Sequence, residues 1–336
     1  MYAVQLDGKG TAKLVDLNKP VPSKEEVLIK VCYCGICGTD IEILQGKLPW
    51  AEYPIVAGHE ISGVVVEIGE YVKRLRPGDK VVIDPNLPCH TCVYCLEGKP
   101  HLCEDLKAIG VTEPGGFAEY VIAKEEQVLR LPPDIPLDIG ALSEPVSCAI
   151  HGVEIAKIKL GEKVVIHGAG TIGLIMAQLV RKAGAALIII DDPLEKRREI
   201  ARTLGFEYVL PKASSEGVKE IAGDGVDVVI DCSGSIEAIS ASVDLLRKGG
   251  RLVLFGVTPP EKTFSISPYK FYKSELTIMG SFINPYTSIR SIALLSELEL
   301  RPLITHKYKL CKIGEAFKKH KVKEGIKILI QPELED

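Results

Sequence analysis

Cys37 from one segment, and His59 and Glu60 from another, supply a thiolate, an imidazole and a carboxylate, the three donor types that suit a zinc ion. A catalytic zinc needs only three protein ligands and keeps one position open. One cysteine and one histidine are common in any chain of this size, so their weight depends on the rest of the sequence. Cys89, Cys92, Cys95 and Cys103 have the spacing C-x2-C-x2-C-x7-C, which lets one loop wrap four thiolates around a single ion with no position left for chemistry. That second site reads as structural. An iron–sulfur cluster can use similar spacing, but nothing else in the chain suggests electron transfer. His90 and His101 flank the loop, whose shell the four cysteines already fill.

A third constellation takes phosphate. Gly168-Ala169-Gly170-Thr171-Ile172-Gly173 follows the apolar strand Lys163-Val164-Val165-Ile166-His167 and precedes an amphipathic stretch from Leu174 to Ala183. This is G-x-G-x-x-G in its strand, turn and helix setting. Gly168 permits the tight turn, Gly170 lets the backbone approach a pyrophosphate, Gly173 lets helix and strand pack closely, and the helix N-terminus faces the phosphates. The next strand, Leu187-Ile188-Ile189-Ile190, ends in Asp191-Asp192. A carboxylate there accepts hydrogen bonds from the adenosine ribose and repels a 2′-phosphate, so NAD is favoured and NADP is the disfavoured alternative. Two adjacent acids leave open which one does this.

The elements that must position these residues fall into two textures. The first part is β-rich: Val27 to Val31, Gly63 to Gly69 and Lys80 to Ile83 are β-branched runs bounded by turn residues, with Thr39 to Leu44 as a short helix next to Cys37. From about Ile150 strands and helices alternate, through Val226 to Asp231, Gly250 to Gly256 and Leu276 to Gly280, which predicts an α/β, doubly wound parallel sheet. A helix over Ile289 to Leu298 and a strand over Ile326 to Ile330 then return the chain to the first domain. The expected domains are 1–146 with 288–336, carrying the structural zinc loop 86–105, and 147–287 for the dinucleotide.

With 336 residues, a net charge of -4 and 26% charged residues, the chain has two domains' worth of core and no basic stripe for nucleic acid. No apolar run is long enough to span a bilayer and the start lacks a signal-peptide pattern, so a cytoplasmic location is expected. Of the ten cysteines, four crowd into one short segment, a pattern that in a reducing compartment reads as metal binding rather than disulfides.

Taken together, Gly35-Ile36-Cys37-Gly38-Thr39-Asp40, Ala57-Gly58-His59-Glu60, the four-cysteine loop, Gly115 to Tyr120, Ser143-Glu144-Pro145, Gly168 to Gly173 and Pro302 to His306 resemble the zinc-containing medium-chain alcohol dehydrogenases. The similarity is to the branch of sorbitol and other polyol dehydrogenases and threonine dehydrogenase, and it covers nearly the whole chain. It implies a β-rich GroES-like catalytic domain beside a Rossmann domain, two Zn2+ per chain and a homo-tetramer, with a dimer as the alternative. It also implies that Cys37 and His59 hold the catalytic zinc, with Glu60 or Glu144 as third ligand, and Cys89, Cys92, Cys95 and Cys103 the structural one. Cofactor contacts are implied at Gly168, Gly170, Thr171, Ile172, Gly173, Asp191, Asp192, Arg197, Ser233, Val257 and Ser281. Asp192 is favoured over Asp191 as ribose ligand, with the charge of Asp191 opposing NADP further.

The implied reaction is oxidation of a polyol or other secondary alcohol: zinc lowers the pKa of the hydroxyl, hydride passes to the nicotinamide, and the proton leaves through the hydroxyl of Thr39. The same Thr39 could instead be a helix N-cap. Many members carry a histidine where this chain has Glu42, so the last proton step falls to Glu42 or solvent. A glutamate also stands there in archaeal glucose dehydrogenases, which keeps an aldose dehydrogenase and L-threonine 3-dehydrogenase as rival activities. A zinc-binding nucleotide-sensing protein is the rival outside the enzymes.

Overall fold

The computed structural model describes residues 1–333, and the chain divides into two compact units. One runs from Met1 to Pro145 and resumes at Pro285; the other is Val146–Asn284.

In the first unit a seven-stranded sheet carries the site. Val128–Arg130, Lys80–Ile83, Glu60–Ile68, Glu26–Gly35, Lys327–Gln331 and Ile304–Lys309 lie side by side in that order, and Tyr120–Lys124 also pairs with Glu26–Gly35. All pairings are antiparallel except that between the two C-terminal strands. The central strand Glu26–Gly35 is therefore flanked at its end by chain from both extremes of the sequence: Gly35 stands opposite Glu60 on one side and Leu329 on the other. Val27, Leu28, Ile29, Val31, Ile61, Val65, Val81, Ile328 and Ile330 are all nearly inaccessible, so this sheet is anchored by the apolar transfer of both its faces. A smaller antiparallel sheet joins Ala12–Asp16, Tyr2–Leu6 and Ile55–Val56. Its first two strands, short and only half patterned, go beyond the strands expected from the sequence.

The second unit is a six-stranded, wholly parallel sheet in the order Tyr208–Leu210, Leu187–Asp191, Lys163–His167, Val226–Asp231, Leu246–Leu254, Thr277–Gly280. Strand order turns back at Lys163–His167, the doubly wound, Rossmann arrangement in which ligands bind beyond the carboxyl ends of the strands. Val226–Asp231 is buried at every residue, as a parallel strand covered on both faces must be. The helix after the glycine turn starts at Thr171 and ends at Lys182, three residues earlier than the apolar pattern begins. Among the described residues, no helix is long and apolar enough to cross a membrane.

Candidate active site and cofactor site

The strand Glu26–Gly35 leads directly into Cys37, which caps the helix Gly38–Leu44. Thr39 is thus inside the helix, and the N-cap role belongs to Cys37. Asp40, three residues on and fully buried, closes the turn by accepting the Cys37 backbone N–H at 2.8 Å through Oδ2, the carboxylate half of a capping box. Its Oδ1 accepts the Gly58 N–H at 3.1 Å and lies 3.7 Å from His59 Nδ1. One carboxylate therefore fastens the cysteine segment to the histidine segment. Asp40 was not among the expected site residues, although its position three residues after a helix cap was a legible signal.

Those fastenings bring the donor atoms of Cys37, His59 and Glu60 within 4.8 Å of one another, and those of Cys89, Cys92, Cys95 and Cys103 likewise. Both sets suit zinc by donor type. The first also has the right field. Burial works to lower the pKa of His59, but Asp40, Cys37 and Glu144 outweigh it and hold the imidazole well above its usual value. An environment that attracts a proton this strongly attracts a dication for the same reason. His59 Nδ1 is buried and makes no hydrogen bond among the described residues, an orphaned atom in a place where an uncompensated polar group is costly. The charge of Glu144 is felt at His59 and at Lys327, but of the two glutamates only Glu60 has its donor atom in the cluster with Cys37 and His59.

Lys327 is a site residue that the sequence reading missed. It is 3% exposed, and its ammonium donates to Glu60 Oε1 at 2.6 Å, Glu60 Oε2 at 2.5 Å and the carbonyl of Ile36 at 3.1 Å. All three of its N–H donors are used. Burial alone would lower the Lys327 pKa, yet Glu60, Cys37 and Glu144 raise it. Removing either partner of such a buried pair costs on the order of 3–5 kcal/mol, because the other charge is left stranded.

Cys37 Sγ lies 3.8 Å from the Thr39 hydroxyl. Glu42, one turn along the helix, is partly buried and its carboxyl is raised by that burial, against the pull of Lys47. A groove of this unit, about 920 Å³, runs past Ile55, Leu87, Cys89 and Tyr120. It borders the cysteine loop, and neither Cys37 nor His59 lines it.

The cysteine loop is built locally. Cys92 caps the short helix Val93–Leu96 and Pro100–Leu102 forms one 3-10 turn. Backbone N–H groups of Thr91 and Cys92 donate to Cys89 Sγ at 3.5 and 3.3 Å, and that of Cys89 to Cys103 Sγ at 3.2 Å. With the Thr91 hydroxyl foremost, these hydrogen bonds bring the Cys89 thiol down to about 6, whereas burial and neighbouring thiols push Cys95 up to about 12.

In the second unit the glycine turn has the conformations its residues imply. Gly168 has φ +94°, and a Cβ on Gly173 would stand 1.8 Å from the Gly168 carbonyl oxygen, so only glycine permits that approach. Ser233 lies across the turn from Gly168 and the Arg197 guanidinium beside Gly170. The two acids part company. Asp192 accepts the Ala169 N–H at 2.9 Å and the Leu194 N–H at 2.8 Å, with Arg197 at 3.7 Å, and so belongs to the turn. Asp191 faces instead His167 Nδ1 at 2.6 Å and the Ala213 N–H at 2.9 Å. The Asp191 carboxylate is thus paired with His167 and the Ala213 N–H, while that of Asp192 is tied to the glycine turn. Val257 is exposed, and Ser281 Oγ is buried with no hydrogen-bond partner among the described residues.

A thiolate, imidazole and carboxylate cluster in one unit and a G-x-G-x-x-G turn in the other are the parts that a metal-dependent, nucleotide-dependent dehydrogenase needs. Residues 23–133 match the alcohol dehydrogenase GroES-like domain family and residues 171–297 the zinc-binding dehydrogenase family. The chain is 34% identical to the sorbitol dehydrogenase of Halalkalibacterium halodurans, over 97% of either protein, and 34% identical to the L-threonine 3-dehydrogenase of Pyrococcus horikoshii, over 91% of either. A zinc-binding dehydrogenase from Sinorhizobium meliloti 1021, solved with NADP bound, superposes with a TM-score of 0.93 at 35% identity, covering 98% of this chain and 99% of that one. The chain belongs to the zinc-binding, medium-chain alcohol dehydrogenase family, and it is an oxidoreductase.

Proposed function

We propose that the protein oxidises a polyol or related secondary alcohol with NAD, in the cytoplasm and as a homo-tetramer, using one catalytic and one structural zinc ion per chain. The observation that carries the reading is the convergence of Cys37, His59 and Glu60 within 4.8 Å. Cys37 and His59 would hold the catalytic ion with Glu60 or Glu144, and the four cysteines the structural one. When bound, the zinc supplies Lewis acidity to a substrate hydroxyl and the nicotinamide accepts the hydride. The chain's own part is alignment and proton handling. Thr39, beside Cys37, takes the hydroxyl proton; Glu42, raised by burial, is placed on the same helix to receive it. Asp40 keeps the cysteine and histidine in register. Alcohol and NAD give ketone, NADH and the proton that this relay carries off.

For the cofactor, Gly168, Gly170 and Gly173 form the pyrophosphate turn, with Thr171 and Ile172 at the head of its helix. Asp192 and Arg197 face the adenosine ribose, and Ser233, Val257 and the unpartnered Ser281 hydroxyl supply the remaining contacts. The fixed carboxylate of Asp192 supports NAD over NADP. Equal identity to a sorbitol and to a threonine dehydrogenase supports threonine as the second reading. The test is a screen of polyols, secondary alcohols, threonine and aldoses with NAD and NADP, following reduced nicotinamide. A polyol turned over with NAD is expected; faster turnover of threonine, or of an aldose with NADP, overturns the substrate assignment.

A further inference from the structure

Glu60 is held from two sides, and neither hold serves catalysis directly. The Lys327 ammonium takes both of its carboxylate oxygens, at 2.6 and 2.5 Å. On the other side a Cβ on Gly35 would sit 1.8 Å from Glu60 Oε2, so the carboxylate rests directly over the glycine backbone. Strand register explains why both holds reach it: Gly35 pairs with Glu60 and with Leu329, and Lys327 precedes Leu329 by two, on the same face of its strand. The carboxylate is at the same time one of the three groups whose donor atoms cluster within 4.8 Å.

We propose that Lys327 competes with the catalytic metal for the carboxylate of Glu60. Lys327 is a positioning residue: over the Gly35 gap it holds Glu60 back from the ion and so keeps one coordination position open for the alcohol. The inference rests on the metal reading above and adds to it a residue whose ammonium partners are Glu60 and the Ile36 carbonyl. An open position is what separates a catalytic zinc from a structural one, and a second carboxylate that closed it would tighten the metal while blocking the substrate. Groups behind the ligands commonly set metal affinity by about 10–100-fold.

The experiment uses the full chain with cobalt(II) in place of zinc. The visible bands of the Cys37 site are read as the difference from a Cys37→Ser variant, which retains only the cysteine loop. Lys327→Met is expected to shift those bands and to slow chelator removal of that one cobalt by about 10-fold or more, because the released carboxylate joins the ion. Glu60→Gln alone should show the wild-type bands, and Glu60→Gln with Lys327→Met should show them too. A band shift in Glu60→Gln alone would mean that Glu60 is already a ligand and overturns the proposal, as do wild-type bands in a folded Lys327→Met. Should Lys327→Met not fold, the Glu60→Gln spectrum decides. If Cys37→Ser binds as much cobalt as wild type, the metal reading itself is lost, an outcome separate from the others.

Discussion

The two proposed metal sites of the first unit are made in opposite ways. The cysteine loop is a local device: its donors come from residues 89 to 103, its hydrogen bonds run between neighbours, and all four thiols are partly exposed. The Cys37 site is a tertiary device. Its donors come from separate segments, Asp40 ties two of them, and Lys327 arrives from 267 residues beyond Glu60. A local site needs only its own loop, so metal binding and folding of that loop are one event. An assembled site exists only when the sheet has formed, and its ligands can be tuned by groups that never touch the metal.

The largest effect should separate the two sites outright. Cys37→Ser is expected to lower kcat on the order of 10³-fold, the several kcal/mol that a lost Lewis acid represents, with little change in unfolding temperature. Cys103→Ser should do the reverse: the loop around residues 86–105 becomes a protease target and the protein melts earlier, while turnover per folded chain is largely kept. Metal content should fall by one ion per chain in each. If Cys103→Ser abolished turnover in folded protein, the division into a chemical and a structural site would fail.

Asp40→Asn sharpens the same contrast. An amide keeps the shape but offers one acceptor oxygen where the carboxylate accepts from both Cys37 and Gly58, and it removes a negative charge beside His59. Metal affinity at the assembled site should fall by about 10–100-fold, measured by chelator competition, with the cysteine loop unaffected.

Legibility in the sequence divides along the same line. The loop spacing and the glycine turn are patterns of adjacent residues, and a single segment suffices to recognise them. Cys37, His59 and Glu60, whose donor atoms the fold brings within 4.8 Å, were legible too, through the motifs that surround them. Lys327 was not, because it sits in a strand whose residues are nearly all buried, Lys327–Gln331, where alternation gives no sign of which side chain faces a charge. Asp191 and Asp192 show the limit in the other unit. Asp191 ends the strand Leu187–Asp191 and Asp192 follows it, and only the backbone direction there sends one to His167 and the other to the glycine turn.

The smallest effect tests how far the assembled site depends on the returning C-terminal segment. Asp138 is buried and takes ion pairs from Arg301 and, at 2.7 Å, from Lys307, joining the middle of the chain to the segment that delivers Lys327. Burial would raise its pKa, but Lys307 and Arg301 outweigh this and hold it below the ordinary value of 3.8. A carboxyl depressed in the folded state contributes stability that is present above its unfolded pKa and is lost as pH falls through the folded one. Asp138→Asn should therefore destabilise the protein at neutral pH by about 1 kcal/mol, a modest figure because both cations are open to solvent screening. Urea midpoints of wild type and variant should differ at pH 7 and converge as the pH falls through the depressed pKa of the folded-state Asp138 carboxyl. The loop of cysteines, which owes nothing to that segment, should keep its metal affinity in the variant; equal weakening of both sites would mean that they are not independently built.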